Sequence, residues 1–224
     1  MGSLFTSFNT GVSGLHTAQS GLNTTSHNLA NVKTKGYTRQ QNIQTDRYYQ
    51  NVKVAVDGSQ IQTGLGTTVS AIRQIRDAFL DKEYHLETGR KAFYEKMSET
   101  SGEIEDIFGE TEGMEFRNNL QSLWNVMQEM ANNPEDITKR RLFVSTAESF
   151  LETAQNIYTQ LNTYQVSLNK EISDQVDRIN TIGETIAYYN KEIAKIEAGG
   201  VENANDYRDA RNLLLDELAT YTNF

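Results

Sequence analysis

The chain has 224 residues, enough for one or two compact domains, and only 37% of them are hydrophobic, an apolar share that argues against a thick core. Its net charge of −9 repels phosphate backbones, and the seven basic side chains of residues 1–76, set against two acids, form no dense or aromatic-interleaved patch, so no nucleic-acid partner is expected. The absence of cysteine excludes disulfides, thiolate metal sites and thiol catalysis. With no basic-then-apolar leader and no run of about 18 apolar residues, neither the general secretory route nor membrane insertion is expected.

The first predicted element is a helix from about Leu4 to Asn31, with Phe8, Val12, Leu15, Ala18, Leu22 and Leu29 in one stripe and Leu15, Leu22 and Leu29 seven residues apart. Its other faces are Ser, Thr, Gly, Asn and Gln, poor helix formers. It is expected to be disordered until the stripe meets a partner. Gly36, in Lys35-Gly36-Tyr37, can take the left-handed conformation of a C-terminal cap. Two or three short strands then follow near Thr38–Thr45, Val52–Val56 and Gly66–Ile75, punctuated by Asp57-Gly58 and by Gly64-Leu65-Gly66, which reads as a hairpin turn.

Helical spacing resumes from Asp77 to Gly109, with Phe79, Leu86, Phe93, Met97, Ile104 and Ile107 on a common face. A shorter helix over Met114–Ala131 carries Phe116, Leu120, Leu123, Met127 and Met130 in 4-3-4-3 steps, and Asn132-Asn133-Pro134 ends it. Asn133 is placed as N-cap and Pro134, the chain's one proline, as first residue of the next helix. That helix, Pro134 to Ala198, has the strongest periodicity. Ala147, Phe150, Ala154, Ile157, Leu161, Tyr164 and Leu168 alternate 3-4 steps, Ile172 and Val176 shift the register, and Ile179, Ile182, Ile186, Tyr189, Ile193 and Ile196 resume it. This is a coiled-coil pattern, and roughly 60 residues would reach about 90 Å. Gly199-Gly200 stops it. A last helix, Asp206–Thr222, turns Leu213, Leu214 and Leu218 towards the one before. The fold class is mainly α, an elongated antiparallel helical bundle or coiled coil with a small β element. Its parts are an assembly helix and turn (1–37), the β element (38–76) and the helical bundle (77–224).

The side chains that could carry chemistry are scattered. His16, His27 and His85 show no metal-ligand spacing or carboxylate pairing, Ser13 lacks the GxSxG frame, and no phosphate-cradling glycine loop occurs. Acid pairs such as Glu103/Glu105/Asp106 and Asp216-Glu217 read as solvated helix faces, and Trp124, Tyr158, Tyr164 and Tyr189 as packing seams. Asn23-Thr24-Thr25 is a chance match to a glycosylation sequon. No enzyme, cofactor or metal site is expected.

The most informative stretch is Asn28-Leu29-Ala30-Asn31-Val32-Lys33-Thr34-Lys35-Gly36-Tyr37-Thr38-Arg39-Gln40, which resembles the signature of flagellar rod, hook and hook-associated proteins. Lys33 stands where Asn is usual and Lys35 where Pro is usual, which implies a less rigid turn; Asn28, Asn31, Gly36 and Tyr37 are retained. Three further segments point to the hook-associated branch: Asp77-Ala78-Phe79-Leu80, Asn133-Pro134-Glu135 followed by Arg140-Arg141, and the run from Tyr207 to Leu218. The resemblance implies a structural subunit of the bacterial flagellum that joins hook to filament by polymerising through its helices after export by the flagellar type III apparatus. Its implied place is extracellular, without a cleaved signal peptide, and its implied partners are itself and neighbouring hook and junction proteins. The implied assembly interface is Phe8, Val12, Leu15, Leu22 and Leu29. Asn28, Asn31, Gly36 and Tyr37 form the signature turn, which either connects the inner helix to the rod or simply caps the helix over a packed tyrosine. The family's subunits also carry outer domains and a C-terminal helix that pairs with the N-terminal one; neither is expected within these 224 residues. The alternatives are a flagellar hook or rod protein, or an unrelated coiled-coil secreted protein. The long 134–198 pattern separates the first reading from the rod and hook proteins.

Overall fold

The computed structural model describes residues 2–54, 60–109, 115–200, 202–222 and 224. The chain forms two compact units, Met1–Thr88 with Asn180–Phe224, and Gly89–Ile179. The fold is mainly α with a small β element: α1 (Gly2–Ala30), β1 (Gln40–Asp46), β2 (Tyr49–Val54), β3 (Gln60–Gly64), β4 (Thr67–Gln74), α2 (Ala78–Ile107), α3 (Glu115–Asn132), α4 (Ile137–Glu197) and α5 (Asn205–Leu218).

Among the described residues of the first unit, the β element has four strands rather than two or three. β1 pairs antiparallel with β4, and β2 pairs antiparallel with β3. The two ladders are successive stretches of one ribbon, because Arg47 N–H donates to Gly66 O at 2.9 Å across the break between them. Gly64-Leu65-Gly66 therefore passes the chain from β3 to β4, and it is not the hairpin turn its glycines suggested. β3, Gln-Ile-Gln-Thr-Gly, is not among the predicted strands. The Asp57-Gly58 turn and the Val56 end of the second predicted strand lie outside the described residues.

α1 lies against β1 and β4. The face it turns inward is not the apolar stripe but a row of small hydroxyl residues, among which Ser13, Thr17 and Thr24 are buried. Their polar atoms are satisfied within the helix or by the ribbon. Thr17 Oγ1 donates to Ser13 O at 2.9 Å and Thr24 Oγ1 to Ser20 O at 3.0 Å, while Asn42 Nδ2 donates to Ser20 Oγ at 2.9 Å. Ser13 Oγ accepts from Thr67 N–H at 3.2 Å, and Gly66, at φ +93°, sits so close that an added Cβ would lie 2.0 Å from that oxygen. Only glycine fits there.

α5 is anchored to the end of α4. Glu197 accepts two bonds of 2.6 Å from Arg208 and one of 3.1 Å from Ala204 N–H, so one carboxylate both pairs with α5 and occupies its N-terminus. Gly200, at φ +65°, ends α4. Ile182 is fully buried, Ile193 and Ala219 nearly so. Leu213 meets Gly36, and α5 ends at Leu218, four residues before the predicted Thr222.

In the second unit α3 turns back on α4. The Phe116 and Phe150 rings lie 5.7 Å apart, and Asn119 Nδ2 donates to Thr153 Oγ1 at 2.9 Å; with only four residues joining the helices, the pair is antiparallel. Asp136, not Asn133, caps α4, its Oδ1 accepting from Thr138 N–H at 2.8 Å. Pro134 lies in a turn closed by Asp136 N–H to Asn133 O at 3.2 Å, the position where its fixed φ suits a turn better than a helix start. α4 is unbroken over 61 residues. Its seam does not run through Ile172 and Val176, which are exposed. It shifts onto Glu171 and Gln175, bonded to each other at 3.1 Å, and Glu171 takes a 2.8 Å ion pair from Lys96 of α2. None of the described residues of α2 is buried, so its predicted apolar face is largely open in this chain.

Candidate assembly site

Exposure along α1 is the reverse of what apolarity predicts. Phe8 is 68% exposed, Leu15 72%, Leu22 68% and Leu29 73%, with Leu4 and Phe5 beyond them; Val12 alone of the predicted interface is half-buried. The helix has two independent faces. Its hydroxyl face is used up by β1 and β4, and its leucine face has no partner among the described residues.

The turn that follows α1 is organised by Asn28. Asn28 Oδ1 accepts from Gln40 N–H at 2.8 Å and from the Tyr37 hydroxyl at 2.7 Å, and its Nδ2 donates to Gln40 O at 2.9 Å. The amide thus imitates a strand neighbour for the first residue of β1 and tethers the helix end to the ribbon. Asn31 closes the last turn of the helix, donating from Nδ2 to His27 O at 3.0 Å and accepting from Thr34 Oγ1 at 3.2 Å. His27 stands edge-on to Tyr37 with Nδ1 3.0 Å from the hydroxyl.

Gly36 is not the helix cap. α1 ends at Ala30, and Gly36, at φ +82°, is the third residue of a turn closed by Tyr37 N–H to Thr34 O at 3.2 Å. A positive φ at that position is the mark of a type II turn, whose second position, here Lys35, is the one that favours Pro. Gly36 is also the point where α5 docks: a Cβ there would lie 3.1 Å from Leu213 Cβ.

Four segments meet around this turn, and sequence reasoning identified one of them. Asp209 of α5 accepts from Thr38 N–H at 3.1 Å and from Gln74 Nε2 at 2.7 Å, and Asn203 and Asn205 both donate to Ile72 O of β4, at 3.1 and 2.9 Å. Burial raises the Asp209 pKa above the ordinary aspartate value despite those donors. Tyr37 is raised too, first by burial and then by the negative charges of Asp209 and Asp206. The sequence marks the Tyr207–Leu218 run as a helix and as part of the resemblance, with no role for its acids. That its acid at position 209 holds both the end of the turn and the end of β4 had no local signal, since those partners lie over a hundred residues away. His85, read as unpaired, has Nε2 2.8 Å from Asp216 for the same reason.

Comparison with known proteins agrees with this arrangement. Residues 101–224 match the flagellar hook-associated protein FlgK helical domain, and residues 8–38, which take in most of α1 and the turn, match the flagella basal body rod protein family. The chain is 30% identical to flagellar hook-associated protein 1 of Bacillus subtilis over 98% of its own length and 43% of that protein. It is 29% and 27% identical to the proteins of the same name from Salmonella typhimurium and Escherichia coli, over 94% of this chain and 37% of each relative. The chain thus spans less than half the length of these relatives. No solved structure matches it. With more than half of its residues inside the FlgK helical domain and the rod-type signature at its start, the chain belongs to the flagellar hook-associated protein FlgK family.

Proposed function

We propose that this chain is part of a non-catalytic structural subunit of the bacterial flagellum that joins hook to filament, assembling outside the cell after type III export. Its partners are further copies of itself and the adjoining hook and junction proteins. The observation that carries the reading is the leucine face of α1, which stays open although the same helix is docked through its hydroxyl face. A helix held in place by one face and apolar on the other presents a preformed surface for a neighbouring helix, so burial of that stripe drives association while little ordering entropy is lost. In this reading residues 1–37 are the assembly helix and turn, the ribbon is the platform that aims the stripe, and the bundle spaces one subunit from the next. The relatives' shared name, hook-associated protein 1, favours the junction over a hook or rod position.

Leu22→Asp tests this. The side chain is exposed, so the variant is expected to unfold at the same temperature as the parent within about 2 °C, surface changes being worth about 0.5 kcal/mol or less. When the variant replaces the native gene in the source cells, it is expected to be missing from the hook tip by immunogold labelling. Normal incorporation would overturn the proposal.

A further inference from the structure

Arg73, Arg76, Arg208 and Arg211 line one recess of about 330 Å³ between the end of β4 and α5. Two of these cations are neutralised. Arg76 pairs with Asp81 and lies 3.7 Å from Asp216, and Arg208 is held by Glu197 through two bonds of 2.6 Å. The other two are not. Arg211 reaches only neutral amide oxygens, Asn190 at 3.2 Å and Asn212 at 3.3 Å, and its Nε is buried without a partner. The Arg73 side chain makes no hydrogen bond or ion pair to any described residue.

Arg211 is half-buried, a guanidinium does not escape such a position by losing its proton, and a charge withdrawn from water is ordinarily matched by an opposite one. Burial, then the like charges of Arg208 and Arg76, lowers its pKa, opposed only by the charge of Glu197, which is already bonded to Arg208. The terminal guanidinium nitrogens of Arg211, held only by long bonds to neutral amides, can exchange those partners for the oxygens of an anion, a stronger charge-assisted bond. We propose that this recess is an oxyanion site in which Arg211 and Arg73 together hold a carboxylate or phosphate group. Within a chain of net charge −9 it is a local inversion of sign, suited to an acidic side chain offered by another acidic protein or to a free inorganic anion.

The proposal is independent of the flagellar reading and would survive its failure. Inorganic phosphate and N-acetyl-glutamate amide are titrated separately into the chain at constant ionic strength, chloride making up the balance, with binding followed by calorimetry and by the Nε–Hε resonances of the arginines. Saturable binding of either probe, weakened about tenfold in the exposed-site variant Arg73→Gln, is the expected result. Tighter binding of the glutamate probe identifies a protein carboxylate as the natural ligand, and tighter binding of phosphate a free anion. Arg211→Gln should abolish saturation. Should it misfold, Arg73→Gln carries the test alone. Shifts that never saturate, or that are equal for chloride, phosphate and Arg73→Gln, overturn the site.

Discussion

Asn28, Gly36 and Gly66 show how single residues set this architecture. Asn28 spends both ends of its amide on the backbone of Gln40, so the angle between helix and ribbon is written in one side chain. Gly36 and Gly66 both adopt positive φ, but with different clearance: a Cβ on Gly36 meets Leu213 Cβ at 3.1 Å, whereas one on Gly66 would meet Ser13 Oγ at 2.0 Å and the backbone of Thr10 at 3.3 Å. A shift of a few tenths of an ångström in α5 relieves the first; the second needs Ser13 Oγ to leave its bonds to Thr67 N–H and Thr10 O. Gly66→Ala is therefore expected to cost about 2–3 kcal/mol in urea unfolding, from left-handed strain plus overpacking, and Gly36→Ala only about 1–2 kcal/mol. Equal costs would mean that φ alone decides. The signature residues were legible in the sequence because they are local. What they hold was not, since Gln40 contributes only backbone and Asp209 arrives from the other end of the chain.

Among the elements, α1 and α4 match the sequence reading in existence and nearly in extent; what the apolar pattern did not register is the hydroxyl face that α1 turns to the ribbon. Apolar periodicity reports which face of a helix avoids water somewhere, not which face is covered in this chain. Ser13, Thr17 and Thr24 can be buried because all three hydroxyls return to a carbonyl three or four residues back, which a pattern of apolar residues does not register. The α4–α5 joint depends on charge. Glu197 has its pKa lowered, chiefly by the hydrogen bond from Arg208, below a value of about 4.3 in the unfolded chain. Its contribution is thus complete above about pH 4.5 and is lost as pH falls through the folded value. Asp209, raised by burial, acts in the opposite sense: its ionisation costs stability as pH rises, and that cost fades in acid. Glu197→Gln is therefore expected to be less stable than the parent at pH 6, by about 1 kcal/mol or less because solvent screens the partly exposed Arg208, with the gap narrowing towards pH 3. A gap that does not change between those values would mean that the joint rests on neutral hydrogen bonds.

For the whole molecule, two opposing surface properties decide how copies meet. The chain carries a net charge of −9, which keeps copies apart, and an open leucine stripe on α1, which draws them together once close. The first force is long-range and screened by salt; the second is short-range and is not weakened by it. Raising NaCl from about 0.02 M to about 0.5 M shortens the screening length from some 20 Å to about 4 Å, which removes the repulsion while leaving stripe burial intact. Self-association of the isolated chain, measured by sedimentation equilibrium, is accordingly expected to strengthen with salt and to disappear in Leu22→Asp at every salt concentration. Association that weakens with salt and survives Leu22→Asp would point instead to charge pairing, with the arginine recess of one copy taking a carboxylate of the next. The two surfaces predict opposite salt slopes, so one titration on the parent and the variant separates them.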